Sequence, residues 1–135
     1  MYKHDEWKDK AAWPNARPFV ADLVAAVGKE PGLAMWDVEN EPACCKLPVP
    51  PDKQLHMQHA MYMAKVFHEL DPVTPVTIGA TFVDNMIYMA DAVDVLSFHD
   101  YSHTRAEIRV NIEKAKAYAA KVGKPLIDSE IGCIA

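Results

Sequence analysis

The sequence predicts an α/β fold: parallel strands with helices packed alongside them. Two observations carry this. Four short runs rich in β-branched or large apolar residues alternate with stretches of helical period, in the order α-β-α-β-α-β-α-β. Polar and acidic side chains then gather where the strands end, as they do on the functional face of parallel α/β folds. No repeat, linker or low-complexity tract divides the chain, so residues 1–135 read as a single domain or a piece of one.

The first helix is expected from Ala16 to Val27, where Phe19, Val20, Leu23, Val24 and Val27 recur at three- and four-residue steps and Gly28 follows as a stop. After the turn Glu30-Pro31-Gly32 comes the first strand, Leu33 to Glu39. Pro48 to Pro51 reads as a rigid loop insert. The second helix runs from Pro51 to Leu70 on a stripe of Leu55, Met61, Ala64, Phe67 and Leu70. Pro75 to Thr81 is the second strand, and Phe82 to Ala90 a short helix. Val93 to His99 is the third strand. The last helix spans Thr104 to Val122, with Gly123 as its stop, and Thr104 stands three residues before Glu107, the spacing of a capping box. Pro125 to Glu130 completes the set as the fourth strand.

Composition narrows the class. Half of the residues are hydrophobic and 24% are charged, as in ordinary globular proteins. The net charge of −5, with no basic run or stripe, argues against a nucleic-acid partner. No run approaches the roughly 18 apolar residues of a membrane-spanning helix, so no membrane partner is expected. The opening MYKHDEWKDKAAW has no apolar core of the kind a signal peptide carries. Cys44, Cys45 and Cys133 are odd in number and lack zinc spacing; they read as free thiols, with a bridge from Cys133 to Cys44 or Cys45 as the alternative.

At the strand ends stand Glu39-Asn40-Glu41-Pro42, His99-Asp100-Tyr101 and Asp128-Ser129-Glu130. Carboxylates are costly to bury, and three such clusters in one chain point to a site. Alternation puts Ser97, His99 and Tyr101 on one face of the third strand, and Asp128 with Glu130 on one face of the fourth. In the first strand, alternation separates Asn40 from Glu41, so a bulge or twist is needed if both serve one site.

These motifs resemble those of a known family. Trp36-Asp-Val-Glu-Asn-Glu-Pro42 looks like the acid/base strand of the retaining glycoside hydrolases with (β/α)8 barrels, the clan that includes family 5. Val95-Leu-Ser-Phe-His-Asp-Tyr101 looks like that clan's sixth strand, and Lys124-Pro-Leu-Ile-Asp-Ser-Glu-Ile-Gly132 like its seventh. The resemblance implies a partial TIM barrel, about half, holding strands four to seven, since a full barrel takes about 250 residues. It implies hydrolysis of β-linked glycosides with retention, of the endoglucanase or mannanase kind. Glu41 would be the acid/base and Glu130 the nucleophile; Asn40 would hold the sugar 2-hydroxyl, and His99 and Tyr101 would line the site. Such chemistry needs no cofactor and no metal. The partner would be a carbohydrate, and a secreted or periplasmic home would suit the family. Two other readings stand beside it: a non-catalytic half-barrel that self-associates as a homodimer or larger assembly, and a sugar-binding pseudo-enzyme.

The remaining residues have plainer readings. His56, His59 and His68 are expected on the surface of their helix, and Met57, Met61 and Met63 between helix and sheet. Trp36 is expected in the core, while Trp7 and Trp13 are either sugar platforms or anchors for the N-terminal segment. Asp37 and Glu39 need partners that the sequence does not name.

Overall fold

The computed structural model of the chain describes residues 6–44 and 51–132. It is a mixed α/β structure whose described residues form four α-helices and two small parallel sheets. The helices are α1 (Arg17–Val27), α2 (Pro51–Leu70), α3 (Val83–Met89) and α4 (Arg105–Val122). The strands are β1 (Trp36–Asn40), β2 (Val76–Gly79), β3 (Leu96–Asp100) and β4 (Leu126–Ile131). β1 pairs with β2 and β3 with β4, both parallel. A single parallel bridge between Ala80 and Phe98 joins the pairs, where the His99 N–H donates to the Ala80 carbonyl at 2.8 Å.

The sheets meet the helices through an apolar layer. Val76, Ile78, Leu96 and Phe98 are buried against Met57, Ala64, Phe67, Met86 and Met89. Each position of β2 and β3 is buried, whereas in β1 only Trp36 is, and β4 has no buried position at all. Trp36 belongs to the core, and its indole N–H donates to Asp71 Oδ2 at 2.9 Å. Met57 and Met63 are buried and Met61 partly so. Trp13 and Trp7 act on the N-terminal segment: Trp13 is buried, and its indole N–H donates to the Trp7 carbonyl at 3.1 Å.

Several boundaries differ from expectation for local hydrogen-bonding reasons. β1 starts at Trp36 because the Leu33 N–H is taken by the Glu30 carbonyl, and the Trp36 N–H is the one that reaches Pro75. β2 starts after Pro75, which has no N–H to give. β3 starts at Leu96 because Asp94 and Val95 both donate to the Val76 carbonyl instead. Gly28 caps α1 in right-handed helical geometry, while Gly123 ends α4 in the left-handed one at φ 70. Thr104 and Glu107 form the expected capping box. Of the segment Pro48 to Pro51, read as a rigid loop, Pro51 opens α2 and the rest lies outside the described residues.

Alternation fails in β4. A register shift at the Phe98/His99 step pairs Phe98 with Asp128 but His99 with Glu130. Ser129 is skipped, and its hydroxyl lies 2.6 Å from that of Ser97. Asp128 and Glu130 therefore do not follow simple period-two placement, and Asp128 Oδ1 is buried without a hydrogen-bond partner among the described residues. In β1 the register shifts between Asp37 and Asn40, ahead of the Asn40/Glu41 step where a bulge was expected.

Candidate active site

The site is assembled where the strands end. Beyond the β1 bulge, the Glu41 N–H donates to the Gly79 carbonyl at 2.7 Å, carrying the pairing one residue further. The chain then turns: the Cys44 N–H closes on the Glu41 carbonyl at 3.0 Å, with Pro42 and Ala43 at the corners. Ala43 has φ 66, as the third residue of a type II turn requires, and Glu41 itself sits at φ 50. Both are left-handed positions that cost a non-glycine residue strain, and such strain gathers at functional sites.

His99 and Glu130 come from the partnered strands β3 and β4 and face each other in register. The His99 ring is buried, with Nδ1 2.8 Å from Glu41 Oε1 and 3.2 Å from Glu130 Oε2. One ligand atom from each of Glu41, His99 and Glu130 lies within 4.8 Å of the others. This trio is the single group among the described residues whose spacing could hold a metal ion. Tyr101, one residue past β3, donates its hydroxyl to Glu130 Oε1. That hydrogen bond, with lesser help from desolvation and the charges of Glu130 and Glu41, raises the Tyr101 pKa, so the phenol keeps its proton as a donor.

These side chains open onto a cleft of about 940 Å³, whose far walls include Thr81, Phe82, Asn111 and Lys114. Of the residues expected at the site, Glu41, Glu130, His99 and Tyr101 meet at its mouth. Asn40 does not line it; it is exposed at the end of β1.

Glycine makes the close approach possible. A Cβ on Gly79 would stand 2.8 Å from His99 Nε2 and 3.2 Å from Asp37 Oδ2, so β2 must be bare there for the imidazole to lie against it. Gly132 does the same for the Tyr101 ring, at 2.7 Å.

The acids without a named partner have found theirs. Asp37 accepts the Gly79 N–H at 3.1 Å; desolvation raises its pKa, against backbone donors and His99, which oppose the rise. Glu39 accepts from both His56 and His59, the latter at 3.1 Å. Burial alone would raise the Glu39 pKa, but the hydrogen bonds and charges of the two imidazoles bring it below its ordinary value. The expectation that these histidines are plain helix surface is therefore wrong for His59, which is buried, and His56, which is half-buried, whereas His68 does lie at the surface, paired with the exposed Asp94 at 2.8 Å. The signal was in the sequence: two histidines three apart on one helix face, and an acid in a strand with no partner. The free-thiol reading also fails for Cys44, which is disulfide-bonded. Cys45 and Cys133 lie outside the described residues.

Among curated proteins, the β-glucuronidase of Homo sapiens is 32% identical over 126 aligned positions, covering 82% of this chain. The β-glucuronidases of Chlorocebus aethiops and Pongo abelii match to the same extent. The chain is similar to β-glucuronidases. It spans 17% of the length of these relatives. No family model matches the sequence. No solved structure matches it either. Endoglucanase or mannanase character draws no support from these relatives.

Proposed function

We propose that this chain is the catalytic portion of a retaining glycoside hydrolase, about half of a (β/α)8 barrel, acting on β-linked glycosides. The observation that carries the reading is the convergence of Glu41, His99 and Glu130 within 4.8 Å at the mouth of the cleft. Retaining glycosidases hold their two carboxyls about 5–5.5 Å apart, and inverting ones about 6.5–9.5 Å apart to admit a water. The short spacing favours retention. The chain order β1-β2-β3-β4, each strand parallel to the next, is that of consecutive barrel strands.

In this reading the Glu130 carboxylate attacks the anomeric carbon while Glu41 gives its proton to the departing glycosidic oxygen. The covalent glycosyl-enzyme is then opened by a water from which Glu41 removes the proton, restoring both groups. Tyr101 holds Glu130 by its hydroxyl, and His99 sets the spacing between the carboxyls. Asn40, exposed and outside the cleft lining, is assigned the sugar 2-hydroxyl from the family resemblance and its place beside Glu41 alone.

The relatives are named for β-glucuronides, which makes an aryl β-glucuronide the first substrate to try, beside the β-glucoside and β-mannoside. The test is turnover of this panel, with the anomer of the first-formed product read by proton NMR. Release of the β-anomer supports the proposal, and release of the α-anomer sinks the retaining mechanism. Sugar binding without turnover, by calorimetry, would make the chain a binding protein instead.

A further inference from the structure

We propose that His56 is a positioning residue for Glu41, acting by holding the Ala43 amide on one side of it and the Glu39 carboxylate on the other; the role rests on the acid/base reading above. His56 is outside the cleft and on α2, so it would act through the chain segment and not on the sugar. Its ring touches that segment twice. Nδ1 accepts the Ala43 N–H at 3.2 Å, and Nε2 bonds to Glu39 Oε1. Glu39 lies two residues before Glu41 and Ala43 two residues after, so one imidazole holds both flanks of the acid/base.

The protonation pattern follows from the donors. A backbone N–H can only donate, so Nδ1 must offer its lone pair and the ring proton must sit on Nε2, facing the Glu39 carboxylate. Glu39 in turn is held on its other oxygen by His59 Nδ1 at 3.1 Å. The ring plane is steadied by Trp7, stacked on it at 4.7 Å and 17°.

The segment needs such a grip. Glu41 and Ala43 both sit at positive φ, and Ala43 is fully buried where a type II turn would ordinarily carry glycine. In that turn the Cys44 N–H is taken by Glu41, whereas the Ala43 N–H has no acceptor within the turn and would be orphaned without His56. Loss of the acceptor would let the turn relax and swing the Glu41 carboxyl off His99.

Two substitutions separate the contacts. His56→Asn places an oxygen near Nδ1 and keeps the Ala43 acceptor but cannot reach Glu39. His56→Gln keeps a donor near Nε2 but loses the Ala43 acceptor. Each is measured for kcat on aryl glycosides with good and poor leaving groups, for Ala43 amide exchange by NMR, and for folding by circular dichroism. The expected result is faster Ala43 exchange in His56→Gln, with a loss of about 10- to 100-fold confined to poor leaving groups. His56→Asn, which loses only the Glu39 contact, should keep Ala43 exchange near wild type and show a smaller loss on poor leaving groups than His56→Gln. Equal losses on both substrate types, or unchanged Ala43 exchange in His56→Gln, would overturn the proposal. If Glu41→Ala shows no leaving-group dependence, the acid/base reading fails by itself, and Ala43 exchange still decides whether the clamp exists.

Discussion

His99 Nδ1 lies 2.8 Å from Glu41 Oε1, and the same nitrogen stands 3.2 Å from Glu130 Oε2. One buried nitrogen thus sets the distance between two carboxyls that reach it from opposite ends of the strand order. The arrangement makes the roles of the two acids separable by experiment.

On the proposed mechanism Glu130→Ala should abolish turnover, because with Glu130 as the nucleophile no glycosyl intermediate can form without it. Added azide should restore part of the cleavage and give a product of inverted configuration. Glu41→Ala should cost about 10²- to 10⁴-fold on substrates with poor leaving groups and far less on activated aryl glycosides. Steady-state kinetics on both substrate types reads the difference. Equal losses would remove Glu41 from the acid/base role.

Gly79→Ala tests the close approach at β2. The new Cβ would meet His99 Nε2 at 2.8 Å and Asp37 Oδ2 at 3.2 Å, so the imidazole must shift away from the pair it spaces. Overpacking of this kind costs about 1–3 kcal/mol, and kcat should fall by more than the loss of folded protein explains. Thermal melts with parallel kinetics separate the two effects. An unchanged kcat would show that His99 does not need its present position.

Asp71 should shape the acid limb of stability. The Trp36 indole N–H, aided against burial by the Thr74 and Val73 amides, lowers its pKa from 3.8 to about 2. A folded-state pKa below the unfolded one adds stability that is whole above 3.8 and is lost as pH falls toward about 2. Denaturant melts from pH 6 to pH 2 should show it, and Asp71→Asn should flatten that part of the curve. The same slope in the variant would assign the acid limb to other groups.

Association follows from the strand environment. β2 and β3 are buried at each position, but β4 has no buried position and β1 only Trp36. Among the described residues the outer sides of β1 and β4 are the edges of the strand order, and strand edges invite pairing with a second copy. We expect a dimer or larger assembly that covers them, and light scattering of dilute protein checks it. A stable monomer of 15.1 kDa would refute it.

Most of the element order was legible because burial writes itself as period. The stripe on α2 and the capping box of α4 are local signals, and both elements lie where the sequence put them. Strand starts were less legible. Whether Leu33 or Trp36 opens β1 depends on which N–H finds a carbonyl on a strand some 40 residues away, and no local pattern carries that. The bulge at Ser129 was hidden for the same reason, since it is a mismatch between two strands and not a property of either.

For the candidate site, the sequence by itself determined which groups stand at the strand ends: Glu41 after Asn40, His99 near the end of β3 with Tyr101 just past it, and Glu130 in β4. Chain direction and strand ends are local facts. Only the tertiary structure decided that Glu41, His99 and Glu130 converge within 4.8 Å, that Asn40 stays outside the cleft, and that Glu39 is held by His56 and His59. These are contacts between elements, made at bulges and positive-φ turns. There the direction of a side chain is set by long-range pairing rather than by its neighbours in sequence.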